Sequence, residues 1–372
     1  MKKILFIIEG LNGGGAEKVF INLLNNLDPK KFDITLVLLF KEGVYLNNIP
    51  NWIKVVHVFK ETKSRILRKL KHYILMFFSK NVYKRLIRDK YDYEISFLEG
   101  LSTKFVYSSN NLSSKKIAWI HTDMINNHWT KRYFIGTEES IMYNNLDKLV
   151  FVSQETMNKF YKKFPNVITR GRVLYNVIDT REIIKKSHEY EIEDCIDIIY
   201  IGRLCHVKGV DILLKAFKKL IDDGLKLKLS IVGEGELKQQ LINMTEELNL
   251  NEYVRYEGFL KNPYPYLKKA KLFVLSSRTE GFPTVLCEAL TLNKLIVSTK
   301  CPGTIEILKN GEYGYLVNAE DIEELYKAIK YMLLDELLSS EFYNKVDEAK
   351  KEFDIARRIE DFSKMLEEIN NL

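Results

Sequence analysis

The chain has 372 residues, too many for one ordinary domain and suited to two. Its 46% apolar content allows two sizeable cores, and no run approaches the roughly 20 apolar residues of a membrane span. The net charge of +7 is concentrated in residues 60–90, which hold eleven Lys/Arg against two Asp/Glu. The rest is slightly acidic, which argues against the broad basic face of a nucleic-acid binder. Cys195, Cys205, Cys287 and Cys301 form no C-x-x-C pair and read as the reduced thiols of a cytosolic protein.

The N-terminus resembles a signal peptide only superficially. The apolar run Ile4–Ile8 is short and a Gly-rich turn follows, so a first buried strand is expected. Further strands are predicted over 32–40, 53–59, 94–98, 116–121 and 148–153, with helical patterns at 16–27 and 138–146. Residues 179–197 are charged, show no strand pattern and are read as a linker. The second half repeats the alternation, with strands over 196–203, 226–232, 254–259, 271–275 and 294–298. Helices fit 209–222, 236–248 and 283–292. Helical patterns at 321–334, 340–353 and 354–372 end the chain. Alternating strands and helices predict two parallel sheets covered on both faces, with a ligand in the crevice at the carboxyl ends of the strands.

The most informative stretch runs from Ser276 to Leu290, a strand followed by a loop and a helix. Pro283 suits the first helical position. The amides of Thr284, Val285 and Leu286 would then face outward and favour an anion such as a diphosphate. Glu288 lies about 7 Å further along the helix, the reach from a diphosphate to ribose hydroxyls. Its neighbours Leu286, Cys287, Ala289 and Leu290 are apolar, so its carboxylate needs a partner. Glu280, in the loop before the helix and on the other side of such a diphosphate, is placed so that it can reach hydroxyls of a sugar attached to it.

Two glutamates with seven residues between them, and Gly281-Phe282-Pro283 after the first, resemble the signature of glycosyltransferase family 4. The segment Ile201–Gly209 resembles the G-R-L-x-x-x-K-G element of the same family. There the resemblance implies that Arg203 and Lys208 neutralise the donor diphosphate, one as a fork and one as a point charge. Gly233, in Gly233-Glu234-Gly235, matches a glycine turn of the family. Phe259, after Gly258, matches the segment whose backbone meets the nucleobase. The stretch Pro302–Ile307, with Gly311 and Gly314, resembles a further family segment. In the N-terminal half, Gly13-Gly14-Gly15-Ala16-Glu17 resembles the family's G-G-x-E start. Backbone at Gly14 and Gly15 can approach a phosphate or sugar closely. The dinucleotide fingerprint is absent, since its middle glycine is missing. His121 stands where the family often has a histidine touching donor sugar or acceptor; a structural role lining the crevice fits it equally. Asn176 lies in a turn resembling N-G-V-D, which departs at Val177. Glu99 ends a strand and is a candidate acceptor contact.

The resemblance implies a GT-B fold: two Rossmann-like doubly wound α/β domains facing across a cleft. Expected are an acceptor-binding domain over 1–180, a donor-binding domain over 181–353, and a helix over 354–372 returning to the first. It also implies a retaining, metal-independent transferase. No Asp-x-Asp lies between apolar strands, and Arg203 with Lys208 can replace a cation, so no metal or other cofactor is expected. The expected substrates are a nucleotide diphosphate sugar (UDP rather than GDP; hexose or N-acetylhexosamine) and a glycan or polyisoprenyl-diphosphate-linked acceptor, in bacterial surface polysaccharide or glycoconjugate biosynthesis. No nucleic-acid partner is expected. The basic stretch with Arg65, Lys69 and Lys71 around Tyr73–Phe78 reads as an amphipathic helix or helix pair. It suits an anionic membrane surface, with the enzyme cytoplasmic and peripheral on the inner face; a helix with solvated lysines and an apolar face buried on a sheet fits as well. Rival readings are a nucleotide-sugar epimerase of the same fold, a nicotinamide oxidoreductase and a non-catalytic partner subunit.

Overall fold

The run Ile4–Ile8 forms the buried part of β1 (Lys2–Ile8). A strand buried on both faces needs apolar residues at consecutive positions. The computed structural model describes residues 1–62, 64–352 and 355–370. After β1 come α1 (Gly15–Asn26), β2 (Phe32–Lys41), β3 (Lys54–Lys60), α2 (Arg65–Leu86), β4 (Tyr93–Ser96) and α3 (Leu101–Tyr107). The first half continues with β5 (Lys115–Ile120), α4 (Glu138–Asn144), β6 (Lys148–Phe151), α5 (Gln154–Lys163) and β7 (Gly171–Val173). Its strands form one parallel sheet in the order β3-β2-β1-β4-β5-β6-β7.

The second half opens with α6 (Thr180–Lys186), β8 (Ile198–Ile201), α7 (Val210–Asp222), β9 (Leu229–Val232), α8 (Lys238–Glu247) and β10 (Val254–Gly258). Then follow α9 (Tyr264–Lys269), β11 (Leu272–Leu275), α10 (Thr284–Thr291), β12 (Leu295–Thr299), α11 (Pro302–Ile307), β13 (Tyr315–Val317), α12 (Ile322–Leu334), α13 (Glu336–Glu352) and α14 (Ile355–Asn370). Its parallel sheet has the order β10-β9-β8-β11-β12-β13. In both sheets the order reverses beside the first strand, between β1 and β4 and between β8 and β11. Such a reversal leaves room for a ligand at the carboxyl ends of those strands.

The chain divides into two units, Met1–Val177 with Ile355–Leu372, and Ile178–Asp354. The segment read as a linker therefore belongs to the second unit, and it contains α6. Asp179 caps that helix by accepting the Glu182 amide, a signal missed in a charged stretch. The expected boundary between residues 353 and 354 falls outside the described residues. The short edge strands β7 and β13 were also missed: three residues carry too little pattern to register.

The first unit is held by an aromatic layer on one face of its sheet. Phe6 meets Phe20 edge-on with centroids 5.3 Å apart, Phe20 meets Phe97 at 4.5 Å, and Phe97 meets Trp119 at 4.7 Å. Helix α14 closes this layer: Phe362 stacks on both Phe6 and Trp119. Phe362, Met365, Leu366 and Ile369 are buried at the spacing of one helix face. The Tyr93 hydroxyl donates to the Leu366 carbonyl at 2.7 Å. Each such side chain contributes about 1.5–3 kcal/mol when fully buried.

In the second unit two turns need glycine, one for close backbone approach and one for its positive φ alone. Gly233 has φ +145°, and a Cβ there would lie 1.9 Å from the Gly202 carbonyl oxygen. Gly224 has φ +84° with nothing near an added Cβ. Gly224→Ala is therefore expected to cost only backbone strain, about 1–2 kcal/mol. Gly233→Ala adds a clash between two backbones and is expected to cost at least about 3 kcal/mol. Urea unfolding of the two variants measures the difference.

Candidate active site

Arg203, Lys208 and Glu280 follow the carboxyl ends of β8 and β11, where the strand order reverses, while Gly233 and Phe259 follow β9 and β10. β8 ends at Ile201, two residues earlier than expected, so Arg203 stands in the following loop. Its guanidinium is exposed and forms no ion pair among the described residues. The Tyr200 hydroxyl donates to the Arg203 carbonyl at 3.3 Å. Lys208 closes a 3-10 turn, His206–Lys208, and Gly209 caps α7 in the left-handed region at φ +61°. A Cβ on Gly209 would lie 2.1 Å from the Ser276 carbonyl oxygen. This turn therefore sits directly on the end of β11.

Lys208 and Glu280 meet there. Lys208 Nζ lies 2.5 Å from Glu280 Oε1, with side-chain exposures of 26% and 10%. Ser277 Oγ donates to the same carboxylate oxygen at 2.7 Å. The cation expected at a diphosphate and the carboxylate expected at a sugar thus form one cluster. Ser277, not anticipated from the sequence, is its third member. The glutamate loop is packed against α11: Gly303 donates to the Glu280 carbonyl at 3.4 Å, and a Cβ on Gly303 would lie 2.2 Å from the Gly281 carbonyl oxygen. Gly281, Phe282 and Pro283 lead directly into α10.

Pro283 is the N-cap of α10 rather than its first residue, with φ −73° and ψ 100°. The expectation of three outward amides is corrected accordingly. Leu286 N–H donates to the Pro283 carbonyl at 3.0 Å, tightening the first turn. Thr284 and Val285 are the helix-start amides without an intrahelical acceptor. Glu288 is buried on the same helix, among Leu286, Cys287, Ala289 and Leu290. Phe259, just after β10, is an exposed ring at 55%.

In the first unit, Glu99, His121 and Trp129 form a second cluster beyond β4 and β5. Glu99 is buried; its Oε2 accepts the His121 backbone amide at 2.9 Å, and its Oε1 accepts Trp129 Nε1–H at 3.1 Å. Gly100 has φ +90°, and a Cβ there would press on the Trp129 ring at 3.2 Å. The His121 ring lies against Phe97 at 5.1 Å. Its Nε2 is buried and has no hydrogen-bond partner. Burial pushes the His121 pKa down to about 4, against the opposing pull of the Glu99 charge. Trp129 was not anticipated: it opens a five-residue 3-10 helix, Trp129–Tyr133, between β5 and α4, too short for a periodicity to mark it.

The glycine loop differs from expectation at one atom. Gly14 N–H donates to Glu17 Oε2 at 2.6 Å, so that amide is already used within the N-terminus of α1, which begins at Gly15. Asn176 is buried, and its Oδ1 has no hydrogen-bond partner. The following Val177 carbonyl accepts from Asn22 of α1 at 3.1 Å.

Residues 65–86 form one helix, α2, interrupted at Phe78 (φ −122°, ψ 18°). Its inner face carries Leu75, Ser79 and Tyr83. Ile66, Leu70, Tyr73 and Phe77 follow helical spacing on the other side and are 83, 54, 55 and 58% exposed. Arg65 and Lys69 are exposed beside them. Lys71 is corrected: its Nζ donates to the Lys60 carbonyl at 2.8 Å and lies over the Phe59 ring. Arg68 pairs with Glu42 at 2.6 Å, and His72 Nε2 lies 3.2 Å from Glu9 Oε1. These last two contacts tie the helix to the carboxyl ends of β1 and β2. Among the described residues, no helix is long and apolar enough to cross a membrane, and no group of three or more His, Cys, Asp or Glu side chains could hold a metal ion.

Two parallel Rossmann-like sheets give the chain a GT-B fold, and comparison with known proteins supplies the activity. The model for "Glycosyl transferases group 1" matches residues 180–353. A Campylobacter jejuni N-acetylgalactosamine-N,N'-diacetylbacillosaminyl-diphospho-undecaprenol 4-alpha-N-acetylgalactosaminyltransferase is 31% identical over 98% of this chain and 100% of its own length. A second enzyme of that organism, a GalNAc-alpha-(1->4)-GalNAc-alpha-(1->3)-diNAcBac-PP-undecaprenol alpha-1,4-N-acetyl-D-galactosaminyltransferase, is 28% identical over the whole of both chains. Among solved structures, sucrose-phosphate synthase of Thermosynechococcus elongatus has a TM-score of 0.82 at 14% identity, covering both chains fully. HepE of Anabaena, in complex with UDP and glucose, has a TM-score of 0.75 at 17% identity over 99% of this chain and 100% of its own. The chain belongs to the group 1 glycosyl transferases and is an enzyme of that family.

The depressed pKa of His121 has a consequence for stability. The unfolded chain protonates this imidazole near its ordinary value of 6.5, while the folded protein resists until about 4. Stability from this residue is therefore complete above pH 6.5 and is lost as pH falls toward 4, on the order of 3 kcal/mol in all. His121→Phe is expected to flatten the difference in unfolding free energy between pH 7 and pH 4.5, measured by urea titration at both values.

Proposed function

We propose that the enzyme transfers a sugar from a UDP-sugar held by the second unit to a lipid-linked glycan bound by the first, with retention of anomeric configuration and without a metal. The observation that carries the donor assignment is the Lys208–Glu280–Ser277 cluster at the end of β11, immediately before the N-terminus of α10. A cation, a sugar-facing carboxylate and a helix start with outward amides are what a nucleotide diphosphate sugar requires. Glu288, the fifth residue of α10, takes the ribose hydroxyls. Phe259 flanks the base. Arg203 supplies a bidentate fork to the diphosphate.

In the reaction the bond from sugar C1 to the diphosphate oxygen breaks. The UDP leaves with its charge offset by Arg203, Lys208 and the amides of Thr284 and Val285. The acceptor hydroxyl attacks C1 from the face the phosphate leaves, and its proton passes to the departing phosphate oxygen. Retention is supported by the likeness of the Glu280…Glu288 signature to that of family 4. Glu280 orients the sugar and stabilises positive charge developing on it. His121, neutral at physiological pH, offers its unpartnered Nε2 as a hydrogen-bonding group to a sugar hydroxyl. Glu99 fixes the His121 backbone and the Trp129 ring from behind.

The acceptor class is supported by the two Campylobacter relatives, whose names specify undecaprenol-diphosphate-linked glycans and N-acetylgalactosamine transfer. An N-acetylhexosamine is therefore the sugar favoured here, and glycoconjugate assembly the context. UDP is supported by the neighbour that holds it. A lipid-linked acceptor requires the enzyme to reach a bilayer, and α2 has the features for it. Four exposed apolar side chains at helical spacing stand beside Arg65 and Lys69, with Lys80 and Lys84 also exposed. A face of this composition inserts aromatic rings among anionic headgroups.

Two measurements test these readings. Melting temperatures are compared with UDP, GDP, ADP, CMP and NAD. UDP at 100 times its dissociation constant is expected to add about 2.7 kcal/mol, and Glu288→Gln to abolish the gain. A shift with NAD alone would sink the donor assignment, and UDP-sugar turnover without acceptor would favour an epimerase. For the membrane, flotation with phosphatidylglycerol vesicles is expected to capture the native chain. The variant Arg65→Glu/Lys69→Glu/Lys80→Glu is expected to bind about 100-fold more loosely, at roughly 1 kcal/mol per basic residue. Equal capture of both would refute docking through α2.

A further inference from the structure

The position of Lys208 is set by neighbours that nothing so far assigns. Its turn presents three consecutive carbonyls to the segment after β11, and each accepts a hydrogen bond from it. Arg278 Nη1 donates to the His206 carbonyl at 2.6 Å. Arg278 backbone N–H donates to the Val207 carbonyl at 2.8 Å. Ser276 Oγ donates to the Lys208 carbonyl at 3.3 Å. The Arg278 guanidinium also grips Asp211, in the first turn of α7, through both nitrogens at 2.9 and 2.8 Å. Its Nε reaches Glu320 at 2.9 Å. The Arg278 side chain is 18% exposed. Burial works against the Asp211 charge, and the Arg278 fork more than offsets it, holding the carboxyl below its ordinary pKa.

We infer that Arg278 is a positioning residue for phosphate binding: it fixes the backbone from which Lys208 projects, and so sets where the lysine ammonium stands relative to Glu280. The inference rests on the donor reading above. A planar fork is needed because the site calls for donors in fixed directions, to one carbonyl and to both oxygens of one carboxylate, which a lysine point charge cannot supply together. The same segment carries Glu280 two residues further on. Arg278 thereby locks the two members of the Lys208–Glu280 pair to one another, although they lie 72 positions apart in the chain. With this lock, Lys208 loses little freedom when it contacts a diphosphate. Without it, the ammonium can still pair with Glu280 but carries that motion to the ligand.

The experiment measures the dissociation constant of UDP by calorimetry for the native chain, Arg278→Met, Lys208→Met and the double variant. Circular dichroism and melting curves confirm that each folds. Lys208→Met is expected to weaken UDP about tenfold, the size of one lost charge-assisted contact. Arg278→Met is expected to weaken it by a similar factor in the native background and by less than twofold in the Lys208→Met background. An equal loss in both backgrounds, or native affinity in Arg278→Met, would overturn the positioning role. Arg278→Lys keeps the charge and loses the fork; weakened UDP binding there excludes a mere change of electrostatic field. Should Arg278→Met fail to fold, Asp211→Asn releases one side of the fork more gently and is carried through the same cycle. A Lys208→Met variant that binds UDP like the native chain would instead bring down the donor assignment itself, and this inference with it.

Discussion

Three consecutive carbonyls, those of His206, Val207 and Lys208, accept hydrogen bonds from the segment Ser276–Arg278. Most of what the second unit can do depends on that seam. It exists because β8 and β11 are neighbours at the reversal of strand order, so the loops leaving them emerge side by side. Gly209 makes the approach possible, since any side chain there would meet the Ser276 carbonyl. The seam brings an ammonium and a carboxylate together in a partly dry place, where their attraction outweighs what either would feel in water. It also leaves the carboxylate one short loop away from the start of α10. The chemistry proposed for this enzyme uses no unusual group; it uses ordinary groups whose spacing the sheet enforces.

The first unit applies the same sheet pattern to a different end. Beyond β1 and β4 stand Glu9, which meets His72, and Glu99, which holds the His121 amide and the Trp129 ring. The sheet is completed by a helix from the far end of the chain, α14, whose Phe362 closes the layer made by Phe6, Phe20, Phe97 and Trp119. Two of those rings, Phe97 and Trp119, also flank His121. The layer that stabilises the unit is thus continuous with the surroundings of a residue proposed to meet sugar. Helix α2 is coupled to the same end of the sheet by the Arg68–Glu42 ion pair and by the contact of His72 with Glu9. Its inner face is packed, while its outer face keeps aromatic side chains in solvent.

Much of this was legible in the chain. The consecutive apolar runs identified the long central strands, because a strand covered on both faces must be apolar throughout. The Ser276–Leu290 stretch announced a strand, a loop and a helix, with two carboxylates at the ends of a short span. The glycines at 209, 233 and 303 fell in segments resembling the family's, but only the structure shows that each sits against another stretch of backbone. What escaped is equally physical. The three-residue edge strands β7 and β13 have no periodicity to read. Trp129 opens a 3-10 helix of five residues, too short to show a period. The pairing of Lys71 with the Lys60 carbonyl, and the use of the Gly14 amide by Glu17, are local competitions that side-chain counting does not see.

By itself the sequence determined that strands and helices alternate in two parallel sheets, since this follows from hydrophobic period and turn chemistry, and its resemblance to glycosyltransferase family 4 singled out Arg203, Lys208, Glu280 and Glu288. Tertiary structure alone decided which charges meet. Lys208 and Glu280 are 72 positions apart, and Arg278 and Asp211 are 67 apart. No local pattern couples such residues, because their contact is created by strand order and by the backbone hydrogen bonds that lock one loop to the next.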